Sequence, residues 1–160
     1  MERSAEEVQL LMDHFHAALK RSGVRLTPQR SEIYCAVARS LDHPDAEAVY
    51  KSIHDRMPSV SLDTVYRSLC LFIDLGLIGS MAPPQARARY DANVGPHVHF
   101  VCRRCGLARD LPGPGQLPMA ASEAARGLGT VETTYVEFRG LCHRCAAARA
   151  NDRESADLAS

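Results

Sequence analysis

No apolar run in this 160-residue chain reaches the eighteen or so residues that cross a bilayer, so no membrane partner is expected. The opening MERSAEEVQLLMDHF carries acids where a signal peptide would need an apolar core. A cytoplasmic address is therefore expected. Net charge is lacking too, because nineteen Lys and Arg balance nineteen Asp and Glu. That argues against a uniformly basic nucleic-acid-binding surface. The balance is uneven, however. Lys20, Arg21, Arg25 and Arg30 fall between positions 20 and 30 with no acid among them. A neutral total does not exclude such a local basic patch.

What is present is an ordinary globular composition, 46% apolar and 24% charged. The length allows one domain or two small ones with a buried core. Apolar residues Val8, Leu11, Met12, Phe15 and Leu19 make one face of a helix over about 5–20, leaving His14 and His16 in solvent. Thr27-Pro28 is a helix start, and that helix should end before Asp42-His43-Pro44. A third helix is expected over 45–57, with Ala46, Val49, Tyr50, Ile53 and Met57 inward. A fourth starts at Ser61, with Asp63 in its first turn, and closes at Gly76. On it Val65, Leu69 and Phe72 face the core, and Thr64, Tyr66, Arg67 and Ser68 face outward.

Leu77-Ile78 and Ala88-Arg89-Tyr90 then read as a short hairpin around an irregular Pro83-Pro84 loop. Helices closed by a hairpin suggest a winged helix-turn-helix, with 61–75 as the recognition helix. A plain helical bundle is the bland alternative; the outward Tyr66-Arg67 pair and the basic patch favour DNA. Beyond Arg89 the composition changes. Residues 98–101 and 131–138 read as strands, Pro112–Gly115 as a turn and Pro118–Arg126 as a short helix. The expected class is α+β: a DNA-binding domain over 1–85, a hinge near 83–92, a small α/β domain over 93–148 and a disordered tail over 149–160.

Six cysteines in a reducing compartment point away from disulfides. Cys35 and Cys70 sit among apolar residues and read as buried small hydrophobes. Cys102-Arg103-Arg104-Cys105 and Cys142-His143-Arg144-Cys145 are two CxxC knuckles, thirty-six residues apart. Four thiolates around a tetrahedral ion is the structural zinc arrangement, and here it would tie a small domain at its two ends. A thioredoxin-type redox pair would need the motif at a helix N-terminus in a βαβ unit, which neither pair has. Gly106 and Gly140 fit tight turns beside the knuckles.

A second donor set surrounds the first knuckle. His97 and His99 stand at i and i+2 of a strand and so face one side. Asp91 precedes them and Asp110 follows. Imidazoles and carboxylates suit Fe(II) or Mn(II) better than a thiolate site would.

These residues together resemble the ferric uptake regulator superfamily over about 15–148. The resemblance rests on Arg25-Leu26-Thr27-Pro28-Gln29-Arg30, His43-Pro44-x-Ala46-x-x-Val49-Tyr50, Pro58–Ile78, Arg89-Tyr90-Asp91, His97-Val98-His99 and the two CxxC pairs. It implies a homodimeric, metal-dependent transcriptional repressor with a winged-helix reader and a dimerisation domain, bound to an inverted repeat in double-stranded DNA. It also implies structural Zn2+ on Cys102, Cys105, Cys142 and Cys145, and regulatory Fe2+ or Mn2+ on His43, Asp91, His97, His99 and Asp110. Tyr66 and Arg67 are implied in the major groove and Arg25 near the minor groove.

Among subtypes, zinc-uptake regulators carry Cys where Asp91 stands, and iron-uptake regulators tend to have Glu where Asp110 stands. Gly95-Pro96 precedes His97, and Thr134 stands where another His is often found. The set most resembles the peroxide-responsive repressors, whose oxidation targets would be His43 and His97. The alternative is an iron-responsive repressor of iron uptake, with a zinc-uptake or manganese regulator further off. Ser68, where many relatives have Asn, and the Gly/Pro-rich 112–118 segment depart from the family pattern. No enzyme is expected: a metal-dependent hydrolase would need a general base beside an open ligand position. A zinc-ribbon adaptor would leave His43 and Asp91 unexplained.

Overall fold

The computed structural model describes residues 2–81, 87–95, 97–111, 127–130 and 136–149. It divides into two compact units, Met1–Gly95 and Pro96–Ser160. The expected turn at 112–115, the helix at 118–126, the first half of the 131–138 strand, the Pro83-Pro84 loop, Thr134 and the tail from 151 lie outside the described residues.

The first unit holds α1 (Ala5–Arg21), α2 (Pro28–Arg39), α3 (Ala46–His54) and α4 (Leu62–Asp74), then β1 (Gly79–Met81) and β2 (Arg89–Asp91). Each helix begins where a short polar side chain accepts a backbone N–H: Ser4 from Glu7, Thr27 from Arg30, Asp45 from Ala48 and Ser61 from Thr64. At Ser4 the Glu7 carboxylate reaches back to the cap N–H, completing a capping box. Gly76 ends α4 in the left-handed region at φ 65°, where a Cβ would be strained.

Phe15, Tyr34 and Phe72, from α1, α2 and α4, are fully buried at the centre of the core. Phe15 stacks on Tyr34 with centroids 4.3 Å apart, and Phe72 meets both rings edge-on. Such contacts add roughly 0.5–1.5 kcal/mol each beyond the buried area. Ser68, expected among the outward residues of α4, is buried instead; its hydroxyl donates to the Thr64 carbonyl at 2.8 Å. Cys35 is half-buried and Cys70 exposed, so the second is no core residue. It lies off the Val65–Leu69–Phe72 stripe.

β1 and β2 pair antiparallel, Ser80 opposite Tyr90. The connector after α2 extends this pairing. Asp45 bridges Arg89, and the Tyr90 N–H donates to the Pro44 carbonyl at 3.0 Å. The same antiparallel register sets position 43 opposite position 91.

The second unit is a three-stranded sheet in the order β4 (Ala108–Leu111), β3 (Val98–Cys102), β5 (Val136–Gly140). β4 was not expected from sequence, since ARDL is short and half of it is charged. β3 runs antiparallel to β4 and parallel to β5. Gly106 takes φ 70° in the first knuckle. Gly140 serves differently from the turn expected of it: it ends β5, where a Cβ would come within 3.3 Å of the Phe100 ring.

Tyr34 supplies a test of the core. Burial pushes its phenol up to about 12, and its hydroxyl has no hydrogen-bond partner among the described residues. Replacing it by Phe removes a desolvated donor without opening a cavity, so Tyr34→Phe should be neutral or stabilising by about 1 kcal/mol in urea unfolding. Its folded pKa lies above the ordinary value of 10.0. The wild-type advantage of the neutral phenol is therefore complete below pH 10 and lost as the pH rises through about 12. Tyr34→Phe should hold its stability better across that window.

Candidate metal centres and nucleic-acid surface

In the second unit, parallel pairing of β3 with β5 sends both strands out at the same end. Cys102 pairs with Gly140, so the two CxxC knuckles leave the sheet side by side. Further backbone bonds fix them: the Arg103 N–H donates to the Gly140 carbonyl, the Gly106 N–H to Cys102, and the Ala146 N–H to Cys142. All four sulfurs lie within 4.8 Å of one another, with Cys105 and Cys142 Sγ 3.7 Å apart. Zinc–sulfur bonds of about 2.3 Å in a tetrahedron require sulfur separations of about 3.8 Å. The cluster therefore fits zinc.

Its electrostatics ask for a cation. Backbone N–H groups of Cys142 and Cys105 pull the Cys102 thiol down to about 6, the first at 3.3 Å from the sulfur. Burial and the neighbouring sulfurs push Cys145 up to about 12. Four anionic sulfurs cannot share this volume without a counter-charge. Arg144 supplies part of it, since its guanidinium bonds to the Cys105 sulfur and lies near Cys142 and Cys145. Arg104 donates to the Cys145 carbonyl at 3.3 Å. Both arginines were read in the sequence only as knuckle spacers.

A second donor set of the same unit forms on β3 and β4. His97 and His99 Nε2 are 2.7 Å apart. Asp110 is the cross-strand partner of His99, and its Oδ1 lies 3.6 Å from His97 Nε2 and 3.5 Å from His99 Nε2. Metal–donor bonds of about 2.1 Å place adjacent donors about 3.0–3.4 Å apart. Two imidazoles and a carboxylate converging within a few tenths of an ångström of this spacing suit a first-row divalent ion.

In the first unit, His43 is 1% exposed and takes φ 49°. A loop histidine read alone would be expected in solvent. Pairing of its connector onto β2 instead buries it beside Asp91, with Nε2 3.5 Å from Asp91 Oδ2. A left-handed conformation costs a non-glycine residue of order 1–3 kcal/mol, which the surrounding pairing must offset. Arg3, which sequence reasoning missed, donates to Asp91 Oδ1 at 3.0 Å. Only a long-range register could have revealed that contact.

Arg25, Tyr66 and Arg67 are all at the surface of the first unit, Tyr66 with 42% exposed. Arg67 pairs with Asp63 one turn back on α4. A shallow groove nearby is lined by Thr27, Arg30, Thr64 and Arg67 among others. Its two guanidinium groups suit phosphate.

A fold of capped helices and a small sheet, carrying a four-cysteine cluster and His/Asp donors, defines a protein with two kinds of candidate metal ligand, and the matches narrow it. The Ferric uptake regulator family model matches residues 21–130, and the chain belongs to this family. It is 35% identical to the peroxide operon regulator of Bacillus subtilis over 129 residues, 80% of this chain and 88% of that one. It is 29% identical to the peroxide-responsive repressor PerR of Staphylococcus epidermidis, over 91% of this chain and 97% of that one. Among solved structures, the ferric uptake regulator of Helicobacter pylori shares the fold with a TM-score of 0.67 at 19% identity, covering 87% and 93% of the two chains.

The cysteine cluster makes a direct prediction. The purified chain should carry about one zinc, and Cys102→Ser or Cys142→Ser should lose it together with β5. Metal analysis and circular dichroism check this, because a structural zinc contributes roughly 10–16 kcal/mol to folding. In the metal-free chain the Cys102 pKa is depressed from 9.0, so the stabilisation from its anion is complete above pH 9 and lost as the pH falls through about 6. Zinc retention unchanged in either variant would contradict the assignment.

Proposed function

We propose that this chain is a homodimeric, metal-dependent DNA-binding repressor that senses hydrogen peroxide by oxidation of its own histidine ligands. The observation that carries this reading is the chemistry of the two His/Asp groups. His43 with Asp91, and His97 with His99 and Asp110, offer three imidazoles and two carboxylates but no thiolate. Such donors favour Fe(II) or Mn(II) over the metals that thiolates select. Similarity to peroxide-responsive repressors over most of the chain supports the same choice.

In this reading one regulatory ion takes all five residues as ligands, while Cys102, Cys105, Cys142 and Cys145 hold structural zinc. The first unit, as a winged helix, presents α4 to the major groove with Tyr66 and Arg67, and Arg25 to the minor groove. Arg67 would exchange Asp63 for a phosphate or base edge. The second unit would dimerise, and half-exposed Phe138 on the edge strand β5 is an apolar side chain available for that contact. Two half-sites of an inverted repeat are then engaged only when the ion fixes the readers relative to the dimer.

Fe(II) held by these residues would catalyse oxygen transfer from peroxide to an imidazole with no net change in the iron, and Mn(II) would support DNA binding without that reaction. The chain's own residues provide the rest. His43 or His97 exchanges a ring C–H for an oxygen, with the second peroxide oxygen leaving as water. The resulting 2-oxo-histidine is a poorer donor, so the His/Asp set releases its ion and the repressor leaves DNA. No substrate turns over, and the chain is read as no enzyme.

Peroxide added to Fe(II)-loaded protein should add one oxygen to the peptides holding His43 and His97 in mass spectrometry, and Mn(II)-loaded protein should gain none. Absence of that oxygen with iron would sink the peroxide reading and leave iron-responsive repression in its place. Asp110→Glu should blunt the peroxide response while metal-dependent DNA binding stays within about tenfold. An unchanged peroxide response would mean that Asp110 does not set the selectivity.

A further inference from the structure

Asp91 is held from a direction that the proposed metal does not explain. The Glu2–Ser4 segment lies along the end of α2: Glu2 bridges Ser40, and the Arg3 N–H donates to the Arg39 carbonyl at 2.8 Å. The Arg3 side chain is 8% exposed. One nitrogen, Nη1, donates to the Ala38 and Ser40 carbonyls at 2.9 and 3.0 Å. These are carbonyls at the C-terminal end of a helix, where partners for orphaned acceptors and positive charge are both favoured. The other nitrogen, Nη2, donates to Asp91 Oδ1 at 3.0 Å.

The Asn93 N–H also donates to Asp91 Oδ1, at 2.9 Å. Two donors therefore fix one carboxylate oxygen, and the other, Oδ2, is the one facing His43 Nε2 at 3.5 Å. A carboxylate pinned in this way offers a metal one oxygen, from a set direction. The guanidinium fork suits the task, because its planar ends reach the helix carbonyls and the carboxylate at once.

We propose that Arg3 is a positioning residue for Asp91: anchored on the end of α2, it commits Oδ1 and presents Oδ2 as a single-oxygen metal ligand. The metal role rests on the five-ligand reading above, whereas the Arg3–Asp91 coupling stands without it. Partners that orient metal ligands typically change metal affinity ten- to hundredfold when removed. Lysine keeps the charge but not the fork, so Arg3→Lys should fall between wild type and Arg3→Gln.

The test uses full-length protein with its zinc retained. Titrated with Mn(II), Arg3→Gln should bind roughly ten- to hundredfold more weakly than wild type, with Arg3→Lys intermediate. Loaded with Co(II), Arg3→Gln should show shifted ligand-field bands, as Asp91 loses its fixed direction; a purely structural role for Arg3 would leave them unmoved. Mn(II) affinity within twofold of wild type, or an unshifted Co(II) spectrum, would overturn the positioning role.

Thermal unfolding without regulatory metal separates this idea from the function it rests on. Arg3→Gln should lower the melting temperature by several degrees in the wild-type background and by much less in Asp91→Asn, since the two residues share one interaction. Equal shifts in both backgrounds would overturn the coupling. If wild type binds no Mn(II) while the coupling holds, the five-ligand reading has failed and the Arg3–Asp91 contact has not. Should Arg3→Gln fail to fold, Arg3→Lys carries every comparison.

Discussion

Four cysteine sulfurs within 4.8 Å of one another cannot all be anions unless a cation stands among them, and the second unit is built on that constraint. The knuckle N–H groups already favour the Cys102 thiolate, whereas burial holds Cys145 protonated. A tetrahedral zinc would resolve the conflict and join the ends of β3 and β5. The same strand that ends in Cys102 carries His99, and the β4 strand beside it carries Asp110. Zinc there would fix the sheet on which His99 and Asp110 stand.

The first unit solves a similar problem with backbone pairing instead of metal. Its donors are 48 positions apart in sequence, yet the register that bridges Asp45 to Arg89 sets His43 against Asp91. His43 accepts a left-handed backbone and near-complete burial there. Unfavourable local conformation at a functional residue is tolerated when neighbouring contacts over-determine it. Arg3 adds a second constraint on Asp91, drawn from the end of α2. Donors held this firmly before a metal arrives lose little freedom on binding it.

What the sequence made legible was whatever local chemistry decides. Caps at Thr27 and Ser61, the left-handed Gly76, the apolar stripes and the two CxxC pairs are all set by neighbours within a few positions. The i, i+2 spacing still brings His97, just before β3, against His99 within it, because extended geometry is local too. Burial of His43, by contrast, depends on a connector meeting β2, and no periodicity announces it. β4 is too short to declare itself, so Asp110 could be read only as a carboxylate near the histidines, and cross-strand pairing is what sets it beside His99. Ser68 faces the core because its hydroxyl satisfies itself on Thr64, which composition alone does not reveal. Arg3 was invisible for the plainest reason, since its partners lie 35 to 88 positions away.

The claim that matters most is that one ion takes ligands from both His/Asp groups. Calorimetric titration with Mn(II) of zinc-replete His43→Ala and His97→Ala tests it directly. A shared ion requires that each variant lose at least tenfold in affinity, although the two residues stand on different units. If His43→Ala binds Mn(II) as tightly as wild type, the ion belongs to His97, His99 and Asp110 alone. The link from metal to DNA reader would then be contradicted.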